Sequence, residues 1–189
     1  MGAENSSILD IYRHTGAMRE GHFLLASGMH TQYFFQSATV MQFPNIAQSF
    51  GEAISAKWVD TPMDFVIGPA MGGIVLAALT AQQLGIRALF AEKTASGEDM
   101  FIREGMKVQE GERFLAVEDV VTTGGSVMKA VKAAEKEGAV CVGVSSVIDR
   151  NDGSTPFPVP YRPLTGLKVE MYAAAGCPLC AVGIPLEKI

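Results

Sequence analysis

Glu118 and Asp119 stand side by side at the end of an apolar run, just before a turn rich in hydroxyls and glycine. Residues 114–126 read Phe-Leu-Ala-Val-Glu-Asp-Val-Val-Thr-Thr-Gly-Gly-Ser. The apolar residues predict a buried strand. Val120 and Val121 follow the acids, and Thr122, Thr123, Gly124, Gly125 and Ser126 lead into a helix. Glycine lets the backbone curl so that several N–H groups point inward. The helix behind the turn adds free N–H groups and the positive end of its dipole. The hydroxyls of Thr122, Thr123 and Ser126 add donors. Such a turn holds a phosphate monoester. Two carboxylates beside it accept hydrogen bonds from sugar hydroxyls or help to hold a divalent cation. Acids at a strand end followed by a Thr or Ser cap are, on their own, an ordinary turn. The full combination points instead to a phosphate beside a diol, which is what a ribose 5-phosphate presents. No lysine follows the glycines, so this is not a Walker A loop.

The elements around this turn alternate. Residues 65–67 are an apolar run stopped by Gly68 and Pro69, and residues 74–84 predict a helix ended by Gly85. Strands are expected over residues 87–91, 114–117 and 140–148, and a second helix over residues 126–137. Residues 65–81 are apolar enough to suggest a membrane span, but Gly68, Pro69, Gly72 and Gly73 divide them into strand, turn and helix. Alternation of this kind implies an α/β fold: a mostly parallel sheet covered by helices, with ligands at the carboxyl ends of the strands. Residues 94–105 have no clear apolar period and read as a mobile loop or hairpin, the kind of segment that acts as a lid.

The chain of 189 residues fits a single domain over 1–189, and 48% apolar residues suffice for a core. A net charge of −5 argues against nucleic acid or an acidic membrane as partner. Three cysteines do not make a disulfide framework and suit a reducing cytoplasm. No signal peptide is expected from the N-terminal residues. Met1-Gly2 and Asn5-Ser6-Ser7 formally match acylation and glycosylation patterns, which at this length arise by chance.

The stretch over residues 114–126 resembles the phosphoribosyl pyrophosphate (PRPP) motif of the type I phosphoribosyltransferases. Within that family the orotate branch is the nearest likeness. Gly21-His22-Phe23-Leu24-Leu25-Ala26-Ser27-Gly28 with Tyr33-Phe34-Phe35 resembles its N-terminal signature, Gly68-Pro69-Ala70-Met71-Gly72-Gly73 its pyrophosphate loop, and Ile148-Asp149-Arg150 the strand end bearing its orotate-binding arginine. The resemblance implies a central mostly parallel sheet with a small hood formed by N- and C-terminal segments. It implies transfer of phosphoribose from PRPP to orotate, with Mg2+ bound to PRPP and no metal held by the protein itself. Glu118, Asp119, Val120, Val121, the turn from Thr122 to Ser126, Met71 and Gly72 would bind PRPP. Thr122, Arg150, Phe34 and Phe35 would face orotate. Lys93, Arg103 and Asp119 would be catalytic, and the loop would reach the neighbouring site of a homodimer. A purine phosphoribosyltransferase, or a regulator that binds PRPP without catalysis, shares the PRPP motif and stays open.

This sequence departs from the usual pattern. Ala26 stands where many members have lysine, and Met71-Gly72 where many have Tyr-Lys. The loop carries Glu92-Lys93 and no histidine. Near the C-terminus, Cys177-Pro178-Leu179-Cys180 has metal-ligand spacing, but a zinc site needs four ligands, and the other candidates are Cys141 and three histidines. The expectation is a structural role or none for this pair, and no catalytic role for His14, His22 or His30.

Overall fold

Strands β3 (Phe65–Pro69), β4 (Arg87–Lys93), β6 (Arg113–Val121) and β7 (Val140–Asp149) lie parallel in the computed structural model, which describes residues 7–25, 27–151 and 157–189. Two short strands, β5 (Met100–Ile102) and β8 (Thr165–Gly166), complete a sheet of order β5-β4-β3-β6-β7-β8. β5 is antiparallel to β4, and every other pairing in this sheet is parallel.

Period-two alternation sorts the apolar residues to two faces. Phe65, Ile67, Phe114 and Ala116 pack against Val127, Ala130, Val131 and Ala134 of helix α5 (Gly125–Lys136). The Phe65 and Phe114 rings stack there at 5.1 Å. Val66, Leu115, Val117 and Val147 point the other way. They meet Phe50, Ile54 and Trp58 of α3 (Pro44–Trp58) and Leu76, Ala77 and Ala81 of α4 (Gly72–Leu84). Burial of each such large side chain contributes about 1.5–3 kcal/mol. Two glycines permit the close approaches this needs. A Cβ at Gly143 would lie 2.0 Å from the Trp58 ring. One at Gly68 would lie 2.2 Å from the Gly73 carbonyl oxygen, because β3 turns directly into α4.

A second, four-stranded sheet of order β10-β1-β2-β9 forms the expected hood. Its centre is the antiparallel pair β1 (Met18–Leu24) and β2 (His30–Phe35), bulged between Glu20 and Phe23. The C-terminal segment supplies both edges, β9 (Met171–Tyr172) against β2 and β10 (Glu187–Lys188) parallel to β1. A 3-10 turn (Ala174–Gly176) and the short helix α6 (Pro178–Ala181) lie between those edges. Helices α1 (Ile8–His14) and α2 (Ser37–Met41) flank the hairpin in sequence.

Most sequence expectations match these elements within a few residues. The apolar run over residues 65–81 is β3, a turn and α4, and among the described residues no helix is long and apolar enough to cross a membrane. The N-terminal acylation and glycosylation patterns and Ala26 lie outside the described residues. Residues 94–105 are more ordered than a free loop. Glu92 pairs with Phe101 and Lys93 with Met100, so β4 and β5 make a hairpin. Its turn is pinned to α5 of the same chain, where Lys129 Nζ donates to the Gly97 carbonyl at 3.0 Å.

Candidate active site

β6 delivers the acid pair to the carboxyl edge of the sheet, and Gly124, with φ of 75°, turns the chain into α5. Among the described residues no side chain caps α5. Its first N–H groups therefore need another acceptor, and they line a cavity of about 70 Å³ with residues 118 and 120–127. Thr122, Thr123 and Ser126 are exposed at its mouth. The structure thus brings together every residue of the predicted phosphate turn.

Glu118 is buried, and only 8% of it meets solvent. Burial first, and then the charge of Asp119, push its carboxyl from 4.5 up to about 9. At neutral pH it keeps its proton, so it can donate as well as accept. Asp119 lies at the border with the pyrophosphate loop. A Cβ at Gly72 would sit 2.6 Å from Asp119 Oδ2. A side chain at position 72 would share its space with that carboxyl group, which would have to shift. Met71 projects into solvent at 82% exposure, and the Ala70–Met71 peptide is cis.

Met71, Lys93 and Arg103 border an open cleft of about 660 Å³ that adjoins this loop. Arg103 is not a free cation in it. Its Nε and Nη2 donate to the two carboxylate oxygens of Glu92 at 2.5 and 2.7 Å, and this fork holds the Glu92 carboxyl below its ordinary range. Arg103, expected to be catalytic, thus faces Glu92 in this structure, and Lys93 is the exposed cation beside it. Sequence reading passed over Glu92, although a β4–β5 hairpin puts the two charges diagonally across one face.

On the other side of the turn, β7 pairs with β6 as far as Val121 opposite Asp149. The backbone N–H of Arg150 then donates to the Val121 carbonyl at 2.8 Å. This fixes Arg150 beside Thr122. Its guanidinium lies over the Phe35 ring at 5.1 Å, and burial lowers its pKa. Nε of Arg150 is buried and has no hydrogen-bond partner among the described residues. Arg150 and Phe35 are thus brought together, and Thr122 follows the Val121 that Arg150 pairs with. Phe34 is not part of this group: as the next residue of the strand it faces away, and it packs on Phe23 at 5.8 Å.

A sheet-edge phosphate turn, an acid pair and a glycine loop beside it define a domain of the phosphoribosyltransferase class. A family model described as the phosphoribosyl transferase domain matches residues 40–169. An orotate phosphoribosyltransferase of Thermus thermophilus is 53% identical over 96% of this chain and 99% of its own length. One from Caldanaerobacter subterraneus is 42% identical over 98% of this chain and 96% of its own. The orotate phosphoribosyltransferase structure from Aeropyrum pernix superposes with a TM-score of 0.73 at 21% identity, over 85% of this chain and 94% of its own, and shows the shared fold. The chain belongs to the orotate phosphoribosyltransferase family.

Proposed function

We propose that the chain transfers the phosphoribosyl group of PRPP to orotate, giving orotidine 5′-monophosphate and pyrophosphate. The observation that carries this reading is Arg150. A half-buried guanidinium with an unpaired Nε, set on an aromatic ring beside the phosphate turn, suits a flat anion with a carboxylate.

In this reading the α5 turn anchors the 5-phosphate, and Asp119 with protonated Glu118 holds the ribose hydroxyls. As the bond from the sugar carbon to pyrophosphate breaks, positive charge develops on the sugar, as in glycoside cleavage. The orotate ring nitrogen then forms the new bond to the sugar carbon, and the proton it carried passes to the departing pyrophosphate. The protein acts by positioning the reactants and neutralising the leaving group. Lys93 lines the cleft for pyrophosphate, and Arg103 joins it when it exchanges Glu92 for the phosphate oxygens. Once the Lys129–Gly97 contact is released, closure of the β4–β5 hairpin over a bound PRPP would keep water from it.

Mg2+ arriving with PRPP would suit this donor set, since it favours oxygen ligands and keeps several waters, and Asp119 would join its shell. Bound there, it supplies positive charge to the departing pyrophosphate. A homodimer in the cytoplasm, with its thiols reduced, completes the proposal. The test is Arg150→Ala. Its KM for orotate should rise at least about tenfold, as for loss of a charged hydrogen bond, while its KM for PRPP changes little. An unchanged orotate KM would move the acceptor site elsewhere.

A further inference from the structure

The hood is small, and it buries two histidines where an apolar core would be expected. His22 of β1 is 2% exposed and His30 of β2 is 4% exposed. Cys177, just before α6, is 4% exposed, and Cys180 is in α6. His22 Nε2 lies 2.8 Å from His30 Nδ1, 3.5 Å from Cys177 Sγ and 3.7 Å from Cys180 Sγ. Cys180 Sγ lies 3.4 Å from His30 Nδ1. One ligand atom from each of the four residues falls within 4.8 Å of all the others.

We propose that His22, His30, Cys177 and Cys180 form a structural zinc site that fastens the C-terminal segment to the hood. A tetrahedral zinc ion, with bonds of about 2.0–2.1 Å to nitrogen and about 2.3 Å to sulfur, sets its ligand atoms about 3.3–3.8 Å apart. These four separations lie within about half an ångström of that range. The tautomer of His22 is already set. Its Nδ1 lies 2.8 Å from the Ile184 carbonyl oxygen, which can only accept, so Nδ1 carries the proton. The lone pair of Nε2 then points at both sulfurs and at His30. Zinc binding releases the two thiol protons, and two thiolates with two neutral imidazoles leave the complex uncharged, which suits a buried site. Two nitrogens and two sulfurs favour zinc over harder cations. Four protein ligands leave no open position, so the site is structural.

The position explains why a metal is needed. The edge strands β9 and β10 are two residues long each, too short to hold the tail by backbone pairing alone. The Arg19–Glu187 fork that also joins tail to hairpin is exposed and contributes little. Metal ligation ties β1, β2 and α6 at one point. β2 also carries Phe35, so the site steadies one wall of the orotate pocket. Cys141, a candidate ligand by sequence, is elsewhere: it is on β7, with its thiol donating to the Gly143 carbonyl.

The full-length protein, purified without an affinity metal and dialysed against metal-free buffer, should retain about one zinc per chain by plasma mass spectrometry. Cys177→Ser and Cys180→Ser should reduce this at least about tenfold, and Cys141→Ser should leave it unchanged. Stripping the wild type and adding Co2+ should produce the visible absorption of tetrahedral thiolate-bound cobalt. Zinc should also protect the tail from limited proteolysis. If the serine variants fail to fold, metal content and the cobalt spectrum of the wild type still decide. A wild-type protein without zinc that takes up neither Zn2+ nor Co2+, or one in which Cys177 and Cys180 are joined as a disulfide, would overturn the proposal.

Discussion

Glu118 gives a prediction that can be worked through from its burial. In the folded chain its carboxyl is pushed up to about 9 from an ordinary 4.5. Between those values the folded protein holds a proton that the unfolded chain has lost. The stability from this group is complete below about pH 4.5 and falls as pH rises through 9. One proton corresponds to a slope of about 1.4 kcal/mol per pH unit. Across two units, from about pH 6 to about pH 8, the upper bound is about 3 kcal/mol. Glu118→Gln keeps the shape of the side chain and abolishes the titration. For a chain of this size, about 1 kcal/mol moves Tm by about 2–4 °C. The wild type should therefore lose up to about 10 °C relative to Glu118→Gln over that interval. Thermal melts of both proteins across the range, in the absence of PRPP, make the measurement. Parallel curves would show that Glu118 is ionised in the folded state and that its burial has been misjudged.

Other perturbations address the pyrophosphate side. Gly68→Ala forces its Cβ into the Gly73 carbonyl at 2.2 Å, so urea unfolding should show a loss of about 2 kcal/mol or more. Glu92→Gln weakens the fork that occupies Arg103, and the KM for PRPP should fall several-fold. Arg103→Ala should lower kcat more than it affects orotate affinity. If steady-state kinetics find both variants equal to wild type, Arg103 has no part in the reaction.

The phosphate turn was legible because its signals are local. An apolar run, two acids and a glycine-hydroxyl turn occupy thirteen consecutive residues, and a strand followed by a helix is the only regular structure they fit. β3 and α4 were legible for the same reason, each being an apolar run closed by glycine or proline, and β7 as a run rich in valine. What stayed hidden depends on pairing between distant segments. The Glu92–Arg103 fork follows from the β4–β5 register, and the separation of Phe34 from Phe35 from which face of β2 meets the main sheet. The histidine–cysteine cluster joins residues more than 140 positions apart, as the His22–Cys177 contact shows. A CxxC pair announced two ligands, but nothing in the spacing of His22 and His30 announced the others. They meet because strand alternation and the β1–β2 register put both side chains on one face of the hood.

The central claim concerns the acceptor. Purified protein, PRPP and Mg2+ would be given orotate, adenine, hypoxanthine and guanine together, and the nucleotides formed would be separated while pyrophosphate release is followed. The account predicts that orotidine 5′-monophosphate appears in step with pyrophosphate and that no purine nucleotide accumulates. A purine nucleotide as the main product, or PRPP binding with no nucleotide formed, would contradict it.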